Sequence, residues 1–261
     1  MATTQKKSPG AQRTKSRREE QIQQQKRNQQ ILLTVLAVAL LVGVVAAIFI
    51  ATRPPEAKIP DEAKTRYTAF ASQNMQGFTE EGFPYLGAAN APSTIEEFGS
   101  FSCPHCAEYD DQVFTKILDE IQAGRVKFVF MPLPGYGGFN SQPATEAAIC
   151  IGQQGKFWEM NDTLYSWQNI YGPTLNDPAR LSVAAQQLGI DMDKYNSCLN
   201  SKTPKQVIEK AAELANKRSV NVTPTIFFNG QQISPALNGG QNPGLSETRG
   251  LIEAAAAEKK S

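Results

Sequence analysis

The chain has 261 residues, among them 26 Lys or Arg, 25 Asp or Glu, four cysteines and a single histidine, and its formal net charge at pH 7 is +1. This near-neutral total hides an asymmetry, because residues 1–54 carry nine basic and two acidic side chains, whereas residues 55–261 carry 17 and 23. The larger, acidic part has no basic face of the kind that binds nucleic acid, so we expect no nucleic-acid partner.

The first predicted element is an apolar helix. Residues Ile31 to Ala51 form a run of 21 residues without a charge, and at about 1.5 Å per residue such a helix crosses the roughly 30 Å hydrocarbon core of a membrane. Basic residues dominate before this run, so the positive-inside rule places the N-terminus in the cytoplasm. We predict a basic cytoplasmic tail over residues 1–30 and a single-pass membrane anchor over residues 31–51. A cleaved signal peptide is the alternative, although its apolar core is normally about 7–15 residues.

The segments that flank the anchor are polar. The glutamine-rich stretch Gln21–Gln30 predicts a disordered or loosely helical tail. After the anchor, residues 52–82 are predicted to be a spacer with one short helix. About 175 residues then remain, enough for one domain with a well-packed core and an elaboration.

The domain predicted over residues 83–258 begins with a β-α-β unit. Thr94–Phe98 is predicted to be a strand, a helix starts at Pro104, and Val126–Met131 is predicted to be a second strand. Strands joined through a helix are parallel, so Cys103-Pro104-His105-Cys106 lies at the carboxyl end of the first strand. Active sites of α/β proteins usually lie at that end.

This Cys-x-x-Cys segment is suited to making and breaking disulfides. If Pro104 is the first helical residue, Cys103 is the N-cap, and its sulfur faces the unpaired N–H groups of His105 and Cys106 and the positive end of the helix dipole. The dipole alone lowers the pKa of a thiol by about one unit, which leaves a thiol of ordinary pKa near 8.5 mostly protonated below neutral pH. The N–H groups and the His105 ring, as a donor or a charge, must therefore lower the pKa of Cys103 further. A stabilised Cys103 thiolate favours the reduced pair and makes its disulfide a stronger oxidant.

The four cysteines allow other interpretations. Half of a zinc site needs two more Cys or His ligands, and only Cys150 and Cys198 remain, alone and 48 positions apart. A purely structural Cys103–Cys106 disulfide is a second alternative, but so short a loop stabilises a fold weakly. Outside the cytoplasm all four cysteines can be oxidised, and Cys150–Cys198 is then a structural bridge worth roughly 4 kcal/mol. Two buried thiols are the alternative for that pair.

The second half of the domain is predicted to be mainly helical. Residues 138–202 are rich in helix formers and are predicted to be an inserted helical subdomain. We expect their aromatic residues to pack in the core rather than to hold a cofactor. A helix is predicted from Thr203 onward, and a strand follows at Thr225–Phe228. Asn229-Gly230 is predicted to be a hairpin turn and Leu245–Ala257 a terminal helix.

Several motifs, taken in this order, resemble one known family. The chain resembles the DsbA-like thiol-disulfide oxidoreductases in their membrane-anchored bacterial form. The resemblance covers about Tyr85 to Ala257 and implies an α/β thioredoxin fold with an inserted helical subdomain, preceded by a single N-terminal transmembrane helix. The motifs that carry it are Asn90-Ala91-Pro92, Glu97-Phe98, Cys103-Pro104-His105-Cys106, Gln154-Gly155-Lys156-Phe157-Trp158-Glu159 and Asn221-Val222-Thr223-Pro224-Thr225.

The resemblance implies a role for five residues. Cys103 is the exposed nucleophile that forms a mixed disulfide with the substrate, and Cys106 is the buried resolving thiol. Pro224 is a cis-proline facing the pair, and Thr223 presents backbone groups to an extended substrate chain. Glu97 is the buried acid that shuttles protons to the resolving cysteine. Glu97 has the same strand parity as the apolar Ile95 and so is expected to point inward, with a surface carboxylate as the alternative.

These observations predict a membrane-tethered oxidase. It donates the Cys103–Cys106 disulfide to reduced secreted or membrane proteins, and a quinone-linked membrane partner reoxidises it. We expect a monomer without metal or organic cofactor. A reductase or isomerase of the same fold is the first alternative, because Thr223 before the proline also occurs in such proteins. A membrane-bound metal chaperone that uses the cysteines as soft ligands is the second.

Overall fold

The chain consists of two compact units, residues 1–53 and residues 54–261. A computed structural model describes residues 9–51, 55–233 and 242–258. In the first unit a single helix, α1, extends from Pro9 to Ala51. Its segment Glu20–Ile48, with a mean hydropathy of 3.1, is long and apolar enough to cross a membrane. The predicted anchor lies within α1, and the tail is helical from Pro9 onward rather than disordered, while residues 1–8 lie outside the described residues.

The second unit is built on a six-stranded mixed sheet. Its strands are β1 (Gln76–Phe78), β2 (Pro84–Leu86), β3 (Ser93–Gly99), β4 (Val126–Pro132), β5 (Thr225–Phe228) and β6 (Gln231–Gln232). They lie in the order β1-β2-β4-β3-β5-β6. The central pair β3–β4 is parallel, and β5 lies antiparallel to β3 on its other side. The sheet therefore brings the end of β3 beside the start of β5.

Helices cover both faces of this sheet. They are α2 (Asp61–Arg66), α3 (Thr68–Ser72), α4 (Pro104–Gln112), α5 (Leu118–Gln122), α6 (Gln142–Gly152), α7 (Phe157–Tyr171), α8 (Pro178–Gln187), α9 (Met192–Leu199), α10 (Thr203–Lys217) and α11 (Leu245–Glu258). Short 3-10 helices follow α4 and α7, at Phe114–Lys116 and Gly172–Asn176. The helix predicted to start at Pro104 is thus two helices joined by a 3-10 turn.

Side-chain alternation along β3 and β4 divides the core in two. Ile95 and Phe128 belong to the larger apolar cluster, which also contains residues of α4, α6, α7 and α11. Phe98 and Val129 belong to the smaller cluster, which includes Ala211 and other residues of α10. Because successive strand residues point to opposite faces, Glu97 shares the face of Ile95 and lies beneath α4.

The helical insertion lies between β4 and α10 and consists of α6 to α9. A disulfide between Cys150 of α6 and Cys198 of α9 joins its first helix to its last, with the two Cα atoms 5.6 Å apart. Both residues are buried. The bridge closes a loop that contains the whole of α7 and α8.

Residues 55–82 are part of the folded domain rather than a spacer. The indole N–H of Trp167 donates to the carbonyl of Lys58 at 2.7 Å, and the hydroxyl of Tyr67 donates to Asp162 at 2.6 Å. The buried apolar residues of the segment are Ala57, Ile59, Ala63, Tyr67, Phe70 and Met75. The domain therefore begins near Pro54 instead of residue 83, because a few helically spaced apolar residues in a polar stretch pack against the insertion.

The disulfide of the insertion has a measurable effect on stability. Replacing Cys150 and Cys198 together by alanine is expected to lower the free energy of unfolding by roughly 4 kcal/mol, because the unfolded chain gains the entropy of an open loop. Urea denaturation of the full-length protein in detergent measures this change. The reactivity of Cys103 serves as the control and stays as in the parent. A variant as stable as the parent would contradict a structural role for the bridge.

Candidate active site

The cysteine motif lies where the chain leaves β3 and enters α4. The backbone of Cys103 is extended, with φ −94° and ψ 115°, and the helix begins at Pro104. The backbone N–H groups of Cys106 and Ala107 donate to the carbonyl of Cys103 at 3.1 and 3.2 Å. Cys103 is thus the N-cap residue of α4, and its sulfur lies at the positive end of the helix dipole.

The surroundings of Cys103 favour its ionised form. One contact acts the other way, because the protonated thiol donates to the backbone carbonyl of Thr223, with the sulfur 3.1 Å from the oxygen. Hydrogen bonds from the Cys106 thiol, the Thr223 side chain and the backbone N–H groups of Cys106 and His105 outweigh burial and lower the pKa of Cys103 to about 6. A thiol with this pKa is about nine-tenths ionised at pH 7.

Cys103 is less exposed than the resemblance implies. The residue is only 4% exposed, because the chain around Thr223 lies against its sulfur. Cys103 and Cys106 are both free thiols in this structure. The surface beside the sulfur of Cys103 is formed by Thr223 and the first turn of α4.

The ring and the backbone N–H of His105 lie in different surroundings. Its side chain is 75% exposed, and Nδ1 lies 3.4 Å from a carboxylate oxygen of Glu108. Among the groups that lower the pKa of Cys103, His105 contributes through its backbone N–H. The backbone N–H of His105 contributes as predicted, whereas the imidazole lies on the solvent side of α4 beside Glu108.

Cys106 lies in the opposite environment, one helical turn further on. It is completely buried, and burial raises its pKa well above that of an ordinary thiol, with a smaller contribution from the charge of Glu97. The two sulfurs of one motif therefore differ in ionisation, because one lies at a helix end and the other in the apolar core. At neutral pH Cys103 carries the negative charge and Cys106 the proton.

Glu97 lies buried beside this pair, as its strand parity indicates. It is 2% exposed, and its Oε1 has no hydrogen-bond partner among the described residues. Burial raises its pKa well above the ordinary value, and the charges of Asp110 and Cys103 raise it further. A Cβ atom at Gly99 would lie 2.7 Å from that Oε1, so glycine leaves room for the carboxyl group. Burial and these two charges thus favour the protonated, neutral form of Glu97.

The remaining site residues come from the start of β5. The peptide bond between Thr223 and Pro224 is cis, as the resemblance implies. Thr225 is paired with Phe98 across the β3–β5 ladder, which brings the proline to the end of β3. A cleft of about 740 Å³ extends beside this loop and is lined by His105, Val222, Thr223 and Pro224, among others.

Sequence reasoning missed the polar residues beneath α4. Asp110 and Tyr165 are buried near Glu97, yet neither belongs to a motif. Asp110 follows Cys106 by one helical turn, and this spacing alone could have placed it on the buried face of the helix. Among the residues that the structure describes, no group of three or more His, Cys, Asp or Glu is placed to hold a metal ion.

A cysteine pair with unequal thiols at the start of a helix, beside a cis-proline, defines the class of thioredoxin-fold proteins with a redox-active motif. A family model described as thioredoxin matches residues 79–253. The chain is 31% identical over 157 residues to the probable disulfide bond formation protein D of Bacillus cereus, an alignment that covers 58% of this chain and 71% of that protein. The chain therefore belongs to the thioredoxin family, among its DsbA-like members.

A solved structure supports the same placement. The crystal structure of oxidised BdbD from Bacillus subtilis matches this chain with a TM-score of 0.57 and 27% identity, covering 69% of this chain and 97% of that chain. The chain is also 33% identical over 146 residues to the Na(+)/H(+) antiporter NhaA 1 of Salinispora arenicola, where the match covers 56% of this chain. The chain spans about a fifth of that relative's length, 21%.

The ionisation of Cys103 can be titrated directly. We expect the thiolate absorbance of the reduced full-length protein in detergent to rise with a midpoint near pH 6. Thr223→Val, which removes a hydroxyl that stabilises the thiolate, is expected to raise this midpoint. The Cys103→Ser variant is the control and shows no transition below pH 8, since the pKa of Cys106 is raised. A parent midpoint near 8.5, the ordinary thiol value, would contradict this description of the site.

Proposed function

We propose that the protein is a membrane-tethered dithiol oxidase that donates the Cys103–Cys106 disulfide to reduced secreted or membrane proteins. The low pKa of Cys103 beside the high pKa of Cys106 is the observation that carries this proposal. A thiolate stabilised at one sulfur favours the reduced pair, so the disulfide is readily given up.

The reaction proceeds through a mixed disulfide. A substrate thiolate attacks the sulfur of Cys103, a new S–S bond forms to the substrate, and the Cys103–Cys106 bond breaks. Cys106 leaves as a thiolate in the apolar core and takes the proton of Glu97. A second substrate thiolate then attacks the substrate sulfur, which releases Cys103 as a stabilised thiolate. The substrate loses two electrons and the cysteine pair gains them.

The cleft beside the cis-proline suits an extended peptide. Thr223 lies at the sulfur of Cys103, and Val222, next to it, is 44% exposed. We propose that Thr223 and Pro224 bind the substrate backbone there, since an extended chain offers main-chain hydrogen bonds and apolar side chains to such a surface.

The thiolate accounts for part of the oxidising power. At pH 7 a thiol of pKa 6 stabilises the reduced pair by about 1.4 kcal/mol relative to an ordinary thiol, which corresponds to about 30 mV. Thioredoxin and DsbA differ by about 150 mV. We therefore propose that interactions of the site other than those that lower the pKa of Cys103 supply the remainder.

Helix α1 supports a membrane location for this reaction. It is long and apolar enough to cross a bilayer, and the basic residues before its apolar part favour a cytoplasmic N-terminus. We propose that the domain lies outside the cytoplasm and acts as a monomer. A quinone-linked membrane protein is the proposed reoxidant, because the anchor keeps both partners in one layer.

A substrate trap in cells tests this function. In the Cys106→Ala variant the mixed disulfide cannot be resolved, so Cys103 is expected to be recovered in covalent complexes with secreted or membrane proteins. The matched control, Cys103→Ala with Cys106→Ala, forms no such complexes. If the trap captures nothing, or captures cytoplasmic proteins alone, both the oxidase function and the proposed orientation are contradicted.

The reduction potential separates an oxidase from a reductase or isomerase. We expect a value closer to about −120 mV than to about −270 mV, the values of DsbA and thioredoxin. Its slope against pH is expected to fall from about 59 to about 30 mV per unit near pH 6, because above that pH the reduced pair binds one proton instead of two. A thioredoxin-like potential would favour the reductase. A stoichiometric metal on the reduced pair, seen by mass spectrometry, would favour the metal chaperone.

A further inference from the structure

Helices α4 and α7 pack against each other beneath the active site, and the contact between them carries buried polar side chains. Asn161 of α7 donates to a carboxylate oxygen of Asp110 of α4 at 2.9 Å. One residue further on, Asp162 accepts from the hydroxyl of Tyr67 at 2.6 Å. One turn along α7, on the same side, lies Tyr165. Asp110, Asp162 and Tyr165 form what we call the polar seam.

The inner end of the seam lies at Glu97 and Cys106. The hydroxyl of Tyr165 and the Oε1 of Glu97 are both buried and have no hydrogen-bond partner among the described residues. Burial raises the pKa of Tyr165, and the charges of Glu97, Cys106 and Asp110 raise it further, so the hydroxyl is electrostatically coupled to these three groups although it is hydrogen-bonded to none of them. A buried polar atom without a partner costs roughly 1–3 kcal/mol, which indicates that its role is other than stability.

The outer end of the seam opens to solvent. A cleft of about 540 Å³ between α4, α7 and α2 is lined by Asp110, Asp162 and Tyr165. Burial raises the pKa of Asp110, and the charge of Asp162 raises it further. Burial also raises the pKa of Asp162, to about 6, against hydrogen bonds from Tyr67 and Arg66 that lower it. Burial thus favours the protonated form of Asp110, and Asp162, with a pKa of about 6, lines the cleft that opens to solvent.

The strands on either side of Glu97 place no ionisable residue directly beside it. Its neighbours across the ladders are Phe130 on β4 and Ile226 on β5, which are both apolar. The ionisable groups that face it come from the helices: Cys106, Tyr109 and Asp110 from α4 and Tyr165 from α7. Tyr109 leads towards the cis-proline cleft, which it lines. That cleft is covered when a substrate occupies it, whereas the cleft at the seam stays open.

We propose that Tyr165 and Asp110 are positioning residues that pass protons between Glu97 and the α4–α7 cleft during thiol-disulfide exchange. This inference rests on the proposed function and extends it. When a substrate thiolate breaks the Cys103–Cys106 bond, Glu97 gives its proton to the Cys106 sulfur and becomes a carboxylate. Tyr165 then gives its proton to Glu97 and takes one from Asp110, and Asp110 regains a proton from solvent through Asp162. No electrons move in this relay.

The relay is tested by the rate at which a reduced dithiol peptide reduces the oxidised full-length protein. The reaction is followed in detergent by rapid acid quenching, alkylation and mass spectrometry, from pH 5 to pH 9. Tyr165→Phe and Asp110→Asn are each expected to lower the rate above pH 7 by about tenfold, because proton transfer by a placed group contributes at least that much. Formate is expected to restore the rate of Asp110→Ala, since a small acid can enter the cleft.

A series pathway also predicts non-additive effects. The variant Glu97→Gln with Asp110→Asn is expected to be no slower than Glu97→Gln alone, because both substitutions break one route. Glu209→Gln, at an exposed position of α10 that does not line the α4–α7 cleft, is the control and leaves the pH profile unchanged. Tyr165→Phe removes a single oxygen and keeps the ring packed against Phe101, whose ring centre is 5.2 Å away, so it tests the relay even if a variant at Asp110 fails to fold.

The outcomes separate this inference from the proposed function. If the parent does not exchange with the dithiol peptide, the proposed function fails. If the parent exchanges and the variants at Asp110 and Tyr165 keep its pH profile, the relay alone is overturned. A slower rate in Tyr109→Phe with a parent-like rate in Tyr165→Phe would also overturn it, since the protons would then leave through the other cleft. Additive effects of the variants at Glu97 and Asp110 would overturn the series arrangement.

Discussion

The structure of the site depends on the placement of two sulfurs one helical turn apart in opposite surroundings. Cys103 caps α4, where backbone N–H groups stabilise its thiolate. Cys106 lies in the core, where burial and the charge of Glu97 disfavour its thiolate. A helix end and an apolar interior shift a thiol in opposite directions. One short motif therefore holds a stable thiolate and a protonated thiol at the same pH, which is what an exchange reaction in two steps needs.

The sheet makes this placement precise. Because β3 is the central strand, bonded to the parallel β4 and the antiparallel β5, its carboxyl end meets the chain that enters β5. Thr223 and the cis-proline bond thus reach Cys103 from a position 120 residues away in sequence. The same strand directs Glu97 to the face beneath α4. One strand consequently positions Cys103, Glu97 and, through its neighbour, Thr223 and the cis-proline bond.

These arrangements lower stability locally. A buried carboxyl group with an unpaired oxygen and a buried tyrosine hydroxyl without a partner each disfavour the folded state. The fold compensates through features outside the site. The disulfide of the insertion and the packing of residues 55–82 onto α7 hold the helices that surround Glu97. Strained or unsatisfied groups persist at functional sites only where the surroundings are this well determined.

The sequence by itself determined what depends on near neighbours. Helix capping by Cys103 follows from Pro104, the apolar run of α1 follows from composition, and the inward direction of Glu97 follows from its parity with Ile95. The tertiary structure alone decided what depends on distant partners. It covered Cys103 with Thr223, left the ring of His105 in solvent, and packed the predicted spacer into the domain. It also brought Asp110 and Tyr165 to Glu97. Burial and pKa are properties of three-dimensional surroundings, and local spacing constrains only the side of a helix or strand on which a residue lies.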